Sequence, residues 1–331
     1  MSLQSRVVSG FYRRLKAICY LLGIENLLYS KLQSKDVIIL FHSVLDVERA
    51  NVNIRNLSAV KFEKLVKYLK SNFKIVSLSE MLNSPSDVPR IAITFDDGLI
   101  NNLRFALPIL EKHRAPATIF ITTCRLNGEG ILWPDRWNLL SLRIRNEIVF
   151  SNVKYTKTAH NAFRNPQTGE KITDVFLRTD SAKREEFFTQ VAKQLNYNPY
   201  EDQELENLVR IMKGEEIKIL ADSPMITIGS HCVTHENLLL LSPEEIENEL
   251  IESKRYLEQV QNKSVESIAY PFGLYNRNIM DAAEKSGYKS QLAVDYIHTE
   301  DILDSRIHNR LGLYNDLTVF EQLDSIQRAF R

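Results

Sequence analysis

IAITFDDG, residues Ile91–Gly98, is the stretch on which the fold prediction depends. An apolar run ends here in two adjacent carboxylates, Asp96 and Asp97, and Gly98 then lets the backbone turn sharply. A short apolar run bounded by a turn is typical of a strand buried on both faces, as in a parallel sheet. Asp and Gly are also ordinary turn residues, so this stretch alone predicts the end of a strand and leaves a functional role open.

The same rhythm extends along the chain in both directions, because short β-rich runs alternate with helical patterns. Such alternation is typical of parallel βα units and predicts an α/β fold. Ser242 and Pro243 supply the start of one helix, with a stripe at Ile246, Leu250, Ile251 and Leu257. Strands are predicted at Val37–Phe41, Lys74–Ser77, Ile91–Phe95, Ala117–Ile121, Ile226–Ser230, Ser267–Tyr270 and Gln291–Val294.

The alternation breaks once, at about 125–222, where we predict a largely helical insertion in a domain spanning 35–331. The insertion contains the motif WPDRW at Trp133–Trp137, a polar turn at Asn165–Gly169 and a charged helix around Ser181–Leu195. Insertions are tolerated on the loop side of α/β barrels, where active sites are also built.

Bulk composition limits the class of partner. Lys and Arg together number 42, as do Asp and Glu, so no overall basic field favours nucleic acid. A neutral partner such as a glycan fits this balance better. The three cysteines are odd in number and form no CxxC pattern, which indicates a reducing compartment.

The N-terminal residues 1–34 are predicted to form a separate amphipathic helical segment, with its helix at Phe11–Leu28. Lys16 and Glu25 interrupt any signal-peptide core, and no run reaches the roughly 18 apolar residues of a membrane span. The helix could pack on the domain or lie on a membrane surface. We expect a cytoplasmic protein, with the inner face of the membrane as an alternative location.

Two further motifs also follow predicted strands. His231 and His235 are four residues apart after an apolar run, a spacing that can bring two imidazoles together as the start of a zinc or iron site. Cys232 between them is predicted to be a core residue, and the HExxH motif is absent. Tyr270-Pro271-Phe272-Gly273 reads as a rigid turn closing another strand.

In this order, DDG, HxxxH and Tyr-Pro-Phe-Gly resemble the polysaccharide deacetylase family, also called the NodB-homology domain or carbohydrate esterase family four. The resemblance covers about 37–320 and implies a distorted (β/α)7 TIM-like barrel. It implies that Asp97, His231 and His235 hold a divalent metal, most often Zn²⁺, with Co²⁺, Ni²⁺ or Fe²⁺ as alternatives. The implied reaction is metal-dependent hydrolysis of an N-acetyl group, less often an O-acetyl group, on a glycan.

The resemblance also implies roles for individual residues. Asp96 is the expected base, and the backbone N–H of Phe272 is the expected donor to the oxyanion. This chain has Ala269 where many members carry an arginine that orients the base, so Arg310 is expected to replace it, with Arg306 as competitor.

His42 is the expected proton donor, by similarity to a circularly rearranged branch whose acid His lies on the first strand. Phe41 stands where that branch has Tyr. His298 and His308 are the fallback candidates, whereas His113 and His160 are interpreted as surface residues.

Substrate contacts are expected from Tyr270, Pro271, Trp133 and Trp137, although the two tryptophans could equally anchor the insertion to the core. Three other functions stay open. They are a silent glycan-binding member, a hydrolase of another amide bond such as a formyl group or cyclic amide, and a non-haem iron oxygenase with a two-histidine, one-carboxylate site.

Overall fold

The structure, a computed structural model, describes residues 36–46, 55–123, 130–159, 161–202, 206–314 and 317–330. The predicted N-terminal amphipathic segment lies outside the described residues, and so does His160. In the described part of the chain, no helix is long and apolar enough to cross a membrane.

Nine parallel strands form one curled sheet, which confirms the predicted α/β fold. The strands are β1 Asp36–Phe41, β4 Lys74–Val76, β5 Arg90–Phe95, β6 Ala117–Ile121, β10 Ile226–Ser230, β11 Ser267–Ala269, β12 Ser290–Leu292, β13 Ile307–His308 and β14 Leu311–Gly312. Their order in the sheet is β13-β12-β11-β10-β6-β5-β1-β14, and β4 pairs with the start of β5. Among the described residues, β13 and β14 lie at opposite edges, so the sheet is a half-barrel.

Each predicted strand is present, with ends that differ by at most two residues from the prediction. β5 is buried along its whole length between β1 and β6, which explains its continuous apolar run. A smaller parallel pair joins β2 Ser43–Leu45 to β3 Asn56–Ser58 beside the main sheet.

Helices cover the sheet and begin where the sequence supplies caps. Ser58 caps α1, and Ser242 forms a capping box at α9, as predicted for Ser242. The helices are α1 Ala59–Asn72, α2 Leu78–Asn83, α3 Leu107–His113, α4 Trp133–Arg143, α5 Ile172–Phe176, α6 Ser181–Gln194, α7 Glu206–Val209, α8 Gly214–Ala221, α9 Pro243–Gln261, α10 Arg277–Lys285 and α11 Val319–Ala329. A π-helical turn at Asn102–Ala106 leads into α3, and 3-10 turns lie at Pro199–Glu201, Leu238–Leu240, Pro271–Gly273 and Thr299–Leu303.

One face of α9 differs from the predicted stripe. Leu250 and Leu257 are buried as expected, but Ile251 is 40% exposed. The inner face of the helix instead buries the polar residues Glu249 and Ser253. The prediction for Ile251 was wrong because hydrogen bonds, as well as apolar contacts, seat this helix on the sheet.

The insertion is less helical than predicted. It carries an antiparallel sheet of three strands, β7 Glu147–Phe150, β8 Val153–Lys157 and β9 Phe163–Arg164, between α4 and α5. Its apolar cluster is separate from the main core and is built around Trp137, Phe176 and Phe188. The insertion therefore has its own core, and it contacts the barrel near the carboxyl ends of the strands through Trp133.

Candidate active site

Five of the predicted site residues meet at the carboxyl ends of the parallel strands. His42 follows β1, Asp96 and Asp97 follow β5, and His231 with His235 follows β10. Together with Phe272, four of these residues line a cavity of about 500 Å³, whereas Asp97 is fully buried and is not one of its lining residues. A cavity of this size lies within the usual range of small-molecule sites.

Asp97, His231 and His235 form a buried cluster whose candidate ligand atoms all lie within 4.8 Å of one another. Oδ1 of Asp97 lies 3.3 Å from Nε2 of His235 and 3.7 Å from Nε2 of His231. Nδ1 of His231 lies 2.7 Å from the carbonyl oxygen of Ala269, so it donates and leaves Nε2 with a lone pair. Oδ1 of Asp97 is buried and accepts no hydrogen bond. One carboxylate oxygen and two imidazole nitrogens directed at one point fit a divalent metal of the zinc type.

Burial and neighbouring charges favour the protonation states of Asp97 and His231 that bind metal. Burial alone would raise the pKa of Asp97, but Arg55 and His235 outweigh it and hold that pKa well below its usual range. Burial lowers the pKa of His231, which favours the neutral imidazole. An ionised carboxylate and a neutral imidazole are the forms that bind metal.

The backbone around the cluster is strained. Asp97, Cys232, His235 and Phe272 all have φ between 58° and 75°, a region that non-glycine residues rarely adopt. Gly98 follows Asp97 with φ 73°, and a Cβ there would lie 2.8 Å from the side chain of Ile121. The glycine of the DDG sequence is therefore needed for both conformation and space. Cys232 is fully buried, as predicted.

Asp96 forms a two-point ion pair with Arg310. Nη1 and Nη2 of Arg310 each lie 2.7 Å from one oxygen of Asp96, and Nε donates to the carbonyl of Ala293. Burial opposes ionisation of Asp96, but Arg310 offsets it and keeps the pKa of Asp96 low. The competing candidate, Arg306, pairs instead with Asp304 and other surface carboxylates.

His42 lines the same cavity as the histidine pair. Its carbonyl accepts a hydrogen bond from Asn102, which fixes the backbone, and its ring stacks near Tyr314 with centroids 6.5 Å apart. Nδ1 of His42 is buried and has no hydrogen-bond partner. The fallback candidates lie elsewhere, since neither His298 nor His308 lines this cavity.

The third motif, Tyr270–Gly273, lies partly at the cavity and partly in the core. Phe272 lines the cavity, and its ring packs edge-on against His235 at 4.6 Å between centroids. Tyr270 is fully buried, stacks on Tyr275 and donates from its hydroxyl to Gln291. Pro271 is buried as well. The structure thus gives Tyr270 and Pro271 packing positions and does not bring them to the cavity, in contrast to the expected substrate contact.

The two tryptophans also occupy packing positions. Nε1 of Trp133 donates to the carbonyl of His235 at 3.2 Å, and its ring packs on Phe272 at 5.4 Å. Trp137 lies in the core of the insertion, stacked on Phe188. Neither lines the cavity, so of the two roles left open by the sequence their positions correspond to anchoring the insertion.

Arg55 belongs to the site but carries no sequence signal. Its guanidinium contacts Asp97 at 3.1 Å and Asp135 at 2.8 Å, and the residue lines the cavity. Asp135 is the central residue of WPDRW, so the sequence motif marks the partner of Arg55 but not Arg55 itself. The two contacts span 42 and 80 residues of chain, a separation that no local pattern reveals.

Two more carboxylates hold the loop that carries the histidines. Glu249 of α9 accepts hydrogen bonds from the backbone N–H groups of Val233 and Thr234 at 2.7 and 3.0 Å. Glu236, next to His235, pairs with the fully buried Arg184 of α6. The loop is therefore held from α9 on one side and from the insertion on the other.

Comparison with known proteins agrees with this architecture. The "Polysaccharide deacetylase" family profile matches residues 83–150 and 169–290. Bacillus subtilis YxkH, assigned to the polysaccharide deacetylases, is 35% identical over 75 residues, a match spanning 23% of this chain and 26% of YxkH.

Two solved structures share the fold. The Streptococcus pyogenes deacetylase PplD aligns with TM-score 0.53 and 18% identity, covering 88% of this chain and 97% of PplD. IcaB from Ammonifex degensii aligns with TM-score 0.56 and 15% identity, covering 90% of this chain and 100% of IcaB. The family profile spans more than half of the sequence and includes Asp96, Asp97, His231, His235 and the turn at Phe272. The chain belongs to the polysaccharide deacetylase family, and this membership supports a deacetylase hydrolase.

Proposed function

We propose that this chain is a metal-dependent deacetylase that hydrolyses N-acetyl groups on a glycan. The observation that carries the proposal is the buried convergence of Asp97, His231 and His235, with Asp96 next to it at the same cavity. A divalent metal held by these three residues would acidify water and polarise the acetyl oxygen.

Asp96 is the proposed base. Arg310 binds both of its oxygens in one plane, so the carboxylate stays ionised and cannot rotate freely. Asp96 lines the cavity, where its remaining lone pairs can accept the proton of an attacking water. The missing arginine of the third motif would favour a silent glycan-binding member, but Arg310, between β13 and β14, pairs with Asp96 instead.

Phe272 and His42 are proposed to act on the other atoms of the substrate amide. Phe272 N–H lies in a turn that Pro271 makes rigid, so it can donate to the developing oxyanion without reorganisation. His42 faces the cavity and is proposed to protonate the departing sugar amine, which is a poor leaving group unless it gains a proton.

Acetate release tests the activity. Protein stripped of metal by chelator and then given Zn²⁺ or Co²⁺ should release acetate from acetylated chitooligosaccharides. Asp97→Ala, His231→Ala and His235→Ala should each lose bound metal and activity, because each removes one of three ligands. Full metal occupancy in the His231 variant would contradict the assigned site. Formate release from a formylated sugar without acetate release would favour the alternative amide hydrolase, and metal binding without turnover of any glycan would favour the silent member.

A pair of substrates tests the acid. His42→Ala should keep the metal and lose most amide hydrolysis, but should lose less on an activated aryl acetate, whose phenolate departs unaided. His308→Ala is the matched control, because His308 lies on β13 away from the cavity, and it should retain both activities. Equal losses on both substrates in the His42 variant would assign His42 to the fold and not to proton transfer.

A further inference from the structure

A guanidinium group lies between two buried carboxylates at the edge of the proposed metal centre. Nη1 of Arg55 donates to Oδ2 of Asp97 at 3.1 Å, and Nη2 donates to Oδ1 of Asp135 at 2.8 Å. The side chains of Asp97 and Asp135 are 1% and 2% exposed and that of Arg55 is 18% exposed, so both contacts are largely shielded from bulk water. Ion pairs in such surroundings are strong and are sensitive to the loss of one partner.

The contact with Arg55 separates the two oxygens of Asp97. Oδ2 accepts from Arg55, whereas Oδ1 faces the Nε2 atoms of His231 and His235 and accepts no hydrogen bond. With Oδ2 engaged, only Oδ1 is directed at the point where the three ligand atoms converge. Asp97 is therefore set to act as a one-oxygen ligand, which leaves more coordination positions for water and substrate.

Asp135 determines how much of the charge of Arg55 acts on Asp97. It lies in the first turn of α4, between Trp133 and Trp137, and that turn is fixed to the His235 carbonyl through Trp133. Without the Asp135 carboxylate, more of the positive charge of Arg55 would act on Asp97 and compete with a bound cation.

We propose that Arg55 and Asp135 are positioning residues of the metal centre. Asp135, supplied by the insertion, holds Arg55 so that it restricts Asp97 to one-oxygen ligation while leaving the site attractive to a dication. The inference rests on the metal centre proposed above. It also assigns the insertion a role in setting metal affinity, which explains why WPDRW lies next to the histidine loop.

The proposal predicts effects of opposite sign for the two partners of one ion pair. Asp135→Asn removes a negative charge and releases Arg55 towards Asp97, so metal affinity should fall, by about 10- to 100-fold as for other groups that orient metal ligands. Arg55→Gln removes the competing positive charge and frees Oδ2, so the metal should bind more tightly while turnover falls. The double variant Arg55→Gln/Asp135→Asn should lie between the single variants in affinity.

Metal affinity of the chelator-stripped protein is measured by competition between Co²⁺ and a chromophoric chelator. The visible absorption of bound Co²⁺ gives a second readout, since it weakens as coordination number rises. Arg55→Gln should weaken that absorption, because Asp97 would bind through both oxygens. Circular dichroism of each variant confirms the fold before titration.

Arg136→Met is the matched control. Arg136 is the neighbour of Asp135 in WPDRW and pairs with Glu185, away from Asp97. It should leave both cobalt affinity and absorption unchanged.

The inference is overturned if Arg55→Gln and Asp135→Asn both weaken metal binding, which is the result that a merely structural role predicts. It is also overturned if neither substitution changes metal binding. If the unmodified protein itself binds no Co²⁺ or Zn²⁺, the proposed function fails, and that result differs from either of these. Should Arg55→Gln not fold, the double variant decides, because affinity below that of Asp135→Asn would contradict competition by Arg55.

Discussion

Replacing Arg310 by Met should expose how strongly the protein depends on the ion pair with Asp96. The two bonds measure 2.7 Å, and the side chains are 0% and 5% exposed. Removing one partner of a buried pair leaves the other charge uncompensated and destabilises by about 3–5 kcal/mol. Unfolding entropy scales to about 0.7 kcal/mol/K for 331 residues, so the melting temperature should fall by about 4–7 °C.

A double-mutant cycle isolates the pair. Asp96→Asn in the Arg310→Met background removes the stranded charge, so the double variant should be more stable than Arg310→Met alone. Thermal unfolding of metal-free protein, followed by circular dichroism, measures all four members of the cycle. Acetate release, measured in parallel, should be lost in every variant of the cycle.

Arg306→Met is the matched control, because this arginine pairs with carboxylates at the surface and is 27% exposed. Exposed pairs contribute about 0–1 kcal/mol, so the control should melt within about 1–2 °C of the unmodified protein and keep its activity. The reasoning is refuted if Arg310→Met is as stable as the unmodified protein, or if adding Asp96→Asn gives no recovery.

Three further predictions follow from single residues. Asp96→Asn should retain metal but lose turnover, since a base is not a ligand; release of metal would show that the two aspartates are exchanged. Burial lowers the pKa of His42 to about 4, against the opposing charge of Asp97, so the ratio of amide to aryl ester hydrolysis should keep rising as pH falls below 6.5. A plateau near pH 6.5 would contradict that low pKa. Oligosaccharide should change the fluorescence of Trp133, measured in Trp137→Phe, but not that of Trp137, measured in Trp133→Phe, because only Trp133 contacts Phe272.

Most of the main strands could be predicted from the sequence because they lie between two neighbouring strands, and strands of this kind carry near-continuous apolar runs. β5 and β6 are buried throughout. The two-residue strands β13 and β14 are too short to give a pattern. The insertion hairpin escaped prediction because Val149 and Val153 are exposed, so the alternation that marks a half-buried strand is weak.

The candidate site, like the fold, could be predicted from the sequence only in part. Asp96 and His231 directly follow strands, and Asp97 and His235 lie in the same two turns. Because parallel strands end at one edge of the sheet, the meeting of these residues follows from the topology. The strand topology does not predict the position of Arg55. Arg55 immediately precedes β3, and the contacts that hold it join parts of the chain far apart in sequence.

The strain at the site explains why so many polar groups surround it. Each non-glycine residue in the left-handed region costs about 1–3 kcal/mol, and the turn from Ser230 to Glu236 contains two, Cys232 and His235. Glu249 offsets part of this cost by accepting from two backbone N–H groups, and Trp133 donates to the carbonyl of His235. The strained turn persists because α9 and the insertion both hold it. The protein itself thus keeps the imidazoles facing Asp97, and loss of Glu249 or Trp133 should relax the turn before it disturbs the strands beneath.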